Sequence, residues 1–183
     1  MHKKEITMKK KITALSCMAV LFTLGSNAWA DGTANATARV VDSLSITKDA
    51  TTSTSGDLAF GSIVPNAATG TVVINPFGTG ARIATGVQVI SSTFGPAAFN
   101  ITGESNAGYA VTLPSSATIT KTGSTETMTV DTFTSTLSGT GLVVTGTLAG
   151  TAGSFRVGGK LHVGQNQVSG SYTGTFVVTA AYN

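Results

Sequence analysis

Side chains of an extended chain point alternately to two faces, so a strand with one buried face carries an apolar residue at every second position. Residues 170–183 follow that rule. Tyr172, Gly174, Phe176, Val178, Ala180 and Tyr182 share one face, and Thr173, Thr175, Val177, Thr179 and Ala181 share the other. The segment is dense in β-branched and aromatic residues and is preceded by Gly, Asn and Ser turn residues, so it predicts a final strand paired inside a sheet. The same alternation recurs upstream, where Ala34, Ala36, Ala38 and Val40 alternate with Asn35, Thr37, Arg39 and Val41, and the parity resumes after Asp42-Ser43 at Leu44 and Ile46. Residues 57–65 offer Leu58, Phe60 and Val64 as core anchors, and residues 70–75 and 81–92 predict two strands turned by Asn75-Pro76 and Gly78-Thr-Gly80. Residues 97–103 and 108–113 predict a hairpin around residues 104–107, and residues 125–134 predict a strand carrying Met128, Val130 and Phe133. Residues 154–163, with Phe155, Val157, Leu161 and Val163, predict the strand before the last, with a bulge at Gly158-Gly159 that resets its alternation. About eight strands, and no helical pattern after residue 30, predict an all-β sandwich.

The start of the chain has a different pattern. Lys3, Lys4, Lys9, Lys10 and Lys11 form a basic head, residues 12–24 an apolar run, and Ala28-Trp29-Ala30 a small-x-small cleavage signal. This predicts a secretory leader over residues 1–30, cut after Ala30. The apolar run is shorter than the roughly 20 residues a membrane-spanning helix needs, so no membrane insertion is expected once the leader is removed. The remaining chain divides into residues 31–43, an extension or first strand, and residues 44–183, the sandwich.

Removing the leader changes the charge. The whole sequence carries a formal +3, but the chain from Asp31 keeps only Arg39, Lys48, Arg82, Lys121, Arg156 and Lys160 against Asp31, Asp42, Asp49, Asp57, Glu104, Glu126 and Asp131. No basic cluster is left to attract nucleic acid or an anionic surface. Cys17, the only cysteine, and Trp29, the only tryptophan, leave with the leader.

Candidate chemistry is sparse. His162 stands between Leu161 and Val163 with the opposite parity, which places it on the solvent face of a strand. No nucleophile-elbow pattern accompanies it. The acids are scattered and make no calcium loop. Gly159-Lys160 would close a phosphate loop, but Ser154 stands at the first glycine position and Leu161 replaces the Ser or Thr that meets magnesium. The sequence predicts no enzyme, no cofactor and no metal site. Asn35-Ala-Thr37 and Asn100-Ile-Thr102 match the glycosylation sequon.

Four stretches, residues 36–48, 57–64, 157–164 and 170–183, together resemble a family of secreted bacterial proteins known as a domain of unknown function. Members of that family look like spore-coat-U-type pilins, the archaic branch of chaperone–usher fimbrial subunits. The resemblance implies an immunoglobulin-like sandwich lacking one strand, whose gap is filled by the N-terminal extension of the next subunit through β-augmentation. Placed on this chain, Ala34, Ala36, Ala38 and Val40 would be the donor stripe. Tyr172, Phe176, Val178 and Tyr182 would line the final strand, against a neighbouring subunit or a periplasmic chaperone. The implied partners are further pilin-like subunits, a chaperone and an usher. The chain would pass through the periplasm to the cell surface or a fimbrium. It departs from archaic pilins in having no cysteine after the leader, and its donor stripe is mostly alanine.

Two functional readings follow. One is a structural subunit of a surface fimbria or similar assembly, joined by donor-strand complementation. The other is a monomeric surface adhesion or binding module in which residues 33–46 form the first strand of a self-complemented sandwich, with ligands met at loops such as residues 94–97 or 104–107.

Overall fold

The computed structural model describes residues 31–77 and 81–183. The leader read from the sequence and the turn at Gly78-Thr-Gly80 lie outside the described residues. The chain divides into two units, Met1–Ala38 and Arg39–Asn183. Of the first, residues 31–38 are described; they form no strand and every one is exposed. Among the described residues no helix is long and apolar enough to cross a membrane.

The second unit is all-β. Its strands are β1 (Ser45–Lys48), β2 (Ile63–Val64), β3 (Gly70–Ile74), β4 (Arg82–Thr85), β5 (Gln88–Val89), β6 (Ala97–Thr102), β7 (Gly108–Thr112), β8 (Ser116–Lys121), β9 (Thr127–Ser135), β10 (Val143–Thr147), β11 (Ala152–Val163), β12 (Tyr172–Thr173) and β13 (Thr179–Tyr182). One large antiparallel sheet runs β1-β6-β11-β9-β8-β12, with β3 also on β11 and β4 on β3. A smaller sheet runs β10-β7-β13, and β2 pairs with β5.

The large sheet is built around β11. At about 3.3 Å per residue this strand is long enough to serve two partners end to end on one edge. Its first half pairs with β6, from Ala152 opposite Thr102 to Val157 opposite Ala97. Its second half pairs with β3, from Gly159 opposite Ile74 to Val163 opposite Gly70. The other edge takes β9. Phe155, Val157, Leu161 and Val163 all point inward and are buried. They meet Tyr109, Val111 and Val144 of the smaller sheet together with Leu113 and Leu148, all in the same core. Each such side chain contributes roughly 1.5–3 kcal/mol on burial, which makes this layer contact the main stabilising term.

Several local expectations are corrected. The register slip beside Gly158 is real, but the alternation of β11 runs through it unbroken. From Gly158 to Lys160 that strand advances two residues while β9 passes from Thr134 to Asp131, so the extra residue belongs to β9. Thr132, at φ 50°, marks it. Inward residues on β9 accordingly change from Met128 and Val130 to Phe133 and Ser135. A second reset occurs at Gly61, at φ 74°, a conformation that glycine adopts without steric cost. Beyond it Ile63 turns toward the core while Val64 is left 42% exposed. Residues 97–103 and 108–113 do not form a hairpin, because β6 lies in the large sheet and β7 in the small one, and residues 103–107 carry the chain between layers. Residues 81–92 are two strands broken at Gly86, also at positive φ.

Candidate functional site

The final segment does not pair along its whole length as its pattern predicts. Tyr172 and Thr173 pair with Lys121 and Thr120 of β8 in the large sheet. Residues 179–182 pair with β7 in the small sheet. Between them residues 174–178 cross from one sheet to the other. No backbone hydrogen bond among the described residues involves them, although unpaired backbone N–H and C=O groups are strong and nearly obligatory bonding groups. The parity is as the pattern predicts: Phe176 and Val178 are half-buried, and Val177 is 71% exposed.

Facing this crossing segment is the stretch around Leu58. One edge of that stretch is occupied. Ala59 and Gly95 exchange backbone hydrogen bonds of 2.9 Å in both directions, and Ile63 pairs with Val89. Arg82 on β4 fastens the stretch by donating to the carbonyl oxygens of Phe60 at 3.1 Å and Ile90 at 2.9 Å. Its guanidinium also lies 4.4 Å from the centre of the Phe94 ring, a cation–π contact. Leu58 itself makes no backbone hydrogen bond among the described residues.

Between the two stretches lies an open slot of about 960 Å³. Its floor is the inner face of the large sheet: Ala97 and Phe99 of β6, Ala117 and Ile119 of β8, Met128 and Val130 of β9, and Leu161 and Val163 of β11. Phe176 forms part of the wall, edge-on to Phe99 at 6.4 Å and tilted against Phe133 at 5.1 Å. One end is held by a small polar network. Tyr172 Oη donates to the carbonyl of Val168 at 2.7 Å and accepts from Gln167 Nε2 at 2.9 Å, and Gln167 Oε1 accepts from the Gly164 amide at 3.1 Å. Lys48 and Asp57, paired at 2.8 Å, stand on the rim. The arrangement is an open apolar trough, flanked by backbone that has no hydrogen-bond partner among the described residues.

The family described as Domain of unknown function (DUF4402) matches residues 44–182. The chain belongs to this family. No curated protein and no solved structure matches it. The DUF4402 domain thus covers the whole sandwich and stops short of the extension.

The donor-stripe residues Ala34, Ala36, Ala38 and Val40 are all exposed, Val40 at 95%. Of the final-strand residues, Tyr172 and Phe176 line the slot and Val178 packs against the core. Tyr182 lies elsewhere: its hydroxyl reaches the Asp42 carbonyl and the Glu104 amide. The sequence reading missed β8, whose Ala117 and Ile119 supply slot floor. The signal was there, since both alternate with Thr118 and Thr120, but in a chain rich in threonine it did not stand out.

His162 is exposed on β11, and its Nε2 lies 2.9 Å from Asp131 Oδ1 on β9. Among the described residues no three His, Cys, Asp or Glu side chains gather to hold a metal ion. The His162 hydrogen bond, with help from the Thr132 hydroxyl, holds the Asp131 carboxyl below its ordinary value of 3.8 against an opposing effect of burial. A carboxyl lowered in the folded state adds stability that is complete above the unfolded value and is lost as pH falls through the folded one. His162→Ala is therefore expected to cost less than about 1 kcal/mol near pH 5, since the pair is exposed and screened. The difference should close as the pH falls below 3.8. Urea unfolding of both proteins at about pH 5 and about pH 2.5 measures this directly.

Proposed function

We propose that the protein is an exported structural subunit of a surface fimbria or a similar surface assembly, joined to its neighbours by strand donation. In this reading the leader directs the chain to the periplasm, where a chaperone shields the slot and an usher assembles the subunits, as for spore-coat-U-type pilins. The observation that carries the reading is the slot: an apolar floor flanked by residues 174–178, whose backbone has no partner among the described residues. An added strand would supply those backbone bonds and cover the floor at once.

The occupant we assign is the extension of a second copy. Residues 31–38 are exposed, lie in no strand and alternate small apolar with polar side chains. The receiving side is lined by Phe99, Ile119, Met128, Leu161 and Phe176, which would present apolar surface to the alanine stripe. The contact is head-to-tail, so it propagates as a filament. The rival reading, a monomeric adhesion module, draws no support from its loops. Phe94 is covered by Arg82 and Glu104 is bonded to Arg39 and Asp42.

The test is the apparent size of the protein exported by its native cell, compared with and without boiling in SDS. A ladder that collapses to monomer only on boiling is expected, and removal of residues 31–38 should abolish it while leaving the unfolding midpoint in place. A single monomer band without heating would overturn the proposal.

A further inference from the structure

Resting on the strand-donation reading, we infer that residues 39–42 are a pinned joint that fixes the root of the donor arm and makes the assembled filament stiff. Three segments far apart in sequence converge here. The Asp42 amide donates to Glu104 Oε2 at 3.2 Å, and the Asp42 carbonyl accepts from Tyr182 Oη at 2.8 Å. Tyr182 Oη in turn accepts from the Glu104 amide at 2.6 Å. The other carboxylate oxygen of Glu104 pairs with the Arg39 guanidinium. Both backbone groups of Asp42 are thus bonded although the residue lies in no strand.

A simple tether would look different, like residues 31–38, which are exposed and make no backbone hydrogen bond among the described residues. The site also has room for only one residue type beside it. A Cβ at Gly103 would fall 2.2 Å from Tyr182 Oη, so the close approach of the tyrosine depends on glycine there. The Glu104 side chain is 20% exposed and that of Arg39 is 75% exposed. The carboxylate is therefore the fixed centre, and the arginine braces it from outside.

The mechanical consequence follows from where the pins stand. The donated arm leaves its own domain at the Arg39 end of this joint, so the angle between consecutive subunits is set by how firmly residues 39–42 are held. With two backbone bonds and a charged brace, bending must break them together.

The test uses the mature full-length protein, wild type and Tyr182→Phe, with two readouts. Amide exchange followed by NMR in the unpolymerised protein should be about tenfold faster at Glu104 in the variant, because its amide loses the Tyr182 hydroxyl as acceptor. Negative-stain images should show variant filaments of clearly shorter persistence length, with an unchanged boiling-sensitive ladder. Unchanged exchange at Glu104 would overturn the joint. Faster exchange with equally stiff filaments would overturn its mechanical role. If Tyr182→Phe fails to fold, Glu104→Gln removes the charge that braces Arg39 and accepts from the Asp42 amide, and faster exchange at Asp42 with more flexible filaments is then the expected outcome. Absence of filaments from the wild type itself would sink the strand-donation reading and the stiffness claim with it, while the exchange comparison still decides whether the joint exists.

Discussion

Ala36→Asp is expected to abolish the boiling-sensitive ladder while leaving the unfolding midpoint of the isolated protein unchanged. The two halves of this expectation rest on different surroundings of one residue. In the free chain Ala36 is exposed, outside any strand, so a carboxylate there stays hydrated and costs the sandwich nothing. In the slot of a neighbour the same side chain would face a floor that includes Phe99, Ile119 and Leu161. An ionised carboxylate buried there without a partner would cost at least about 3 kcal/mol, enough to weaken association by more than a hundredfold. Parity supplies the control. Thr37 belongs to the opposite face of the same extended segment, so Thr37→Asp should point to solvent and leave the ladder largely intact. Equal loss in both variants would mean that charge on the arm, rather than insertion of one face, is what disrupts assembly. Survival of the ladder in Ala36→Asp would mean that this stripe does not enter the slot.

How far these features could be read from the sequence depends on what kind of information each requires. The all-β class was legible because alternation is a local property: Phe155, Val157, Leu161 and Val163 announce the inward face of the central strand without reference to anything else. The same holds for Phe176 and Val178 on the slot wall. Pairing partners are a different matter. The turn residues between β6 and β7 are compatible with a hairpin and with a crossing between layers, and the chain takes the second course because β6 completes the large sheet beside β11. Alternation also misleads wherever one residue is inserted. Gly61 and Thr132 each shift the parity, and the first of them puts Ile63 in the place that Val64 was expected to hold. The slot was the least legible feature, since it consists of bonds that are not made. The joint was likewise out of reach, because Asp42, Glu104 and Tyr182 meet only once both sheets are in place.

The largest effect on stability is expected from Gly158→Ala, which should lower the unfolding free energy by about 3 kcal/mol or more, a large share of the roughly 5–15 kcal/mol that holds a domain folded. Gly158 sits where β11 passes from β6 to β3, opposite the irregular part of β9. A Cβ there would lie 2.1 Å from the Ile74 carbonyl oxygen and 2.8 Å from Pro76 Cδ. Neither neighbour can swing aside as a flexible side chain would: one is backbone and the other belongs to a ring. Relief requires β3 to move off β11, which would uncover Val72 and Ile74, both fully buried. Gly153, on the same strand, is the comparison. A Cβ at Gly153 would meet Ile101 Cγ2 at 3.4 Å and Leu148 Cδ2 at 3.5 Å, which is ordinary side-chain contact, so Gly153→Ala should be close to neutral. Urea unfolding of the two variants distinguishes them. The consequence for assembly follows from position, because Leu161 and Val163, three and five residues beyond Gly158, are part of the slot floor. A protein that loosens β11 should lose the ladder through failure to fold, whereas Ala36→Asp should lose it with the fold intact. If Gly158→Ala melts within a few degrees of the wild type, β3 is not held against β11 in the way the close contact requires, and the floor of the slot would have to be redrawn.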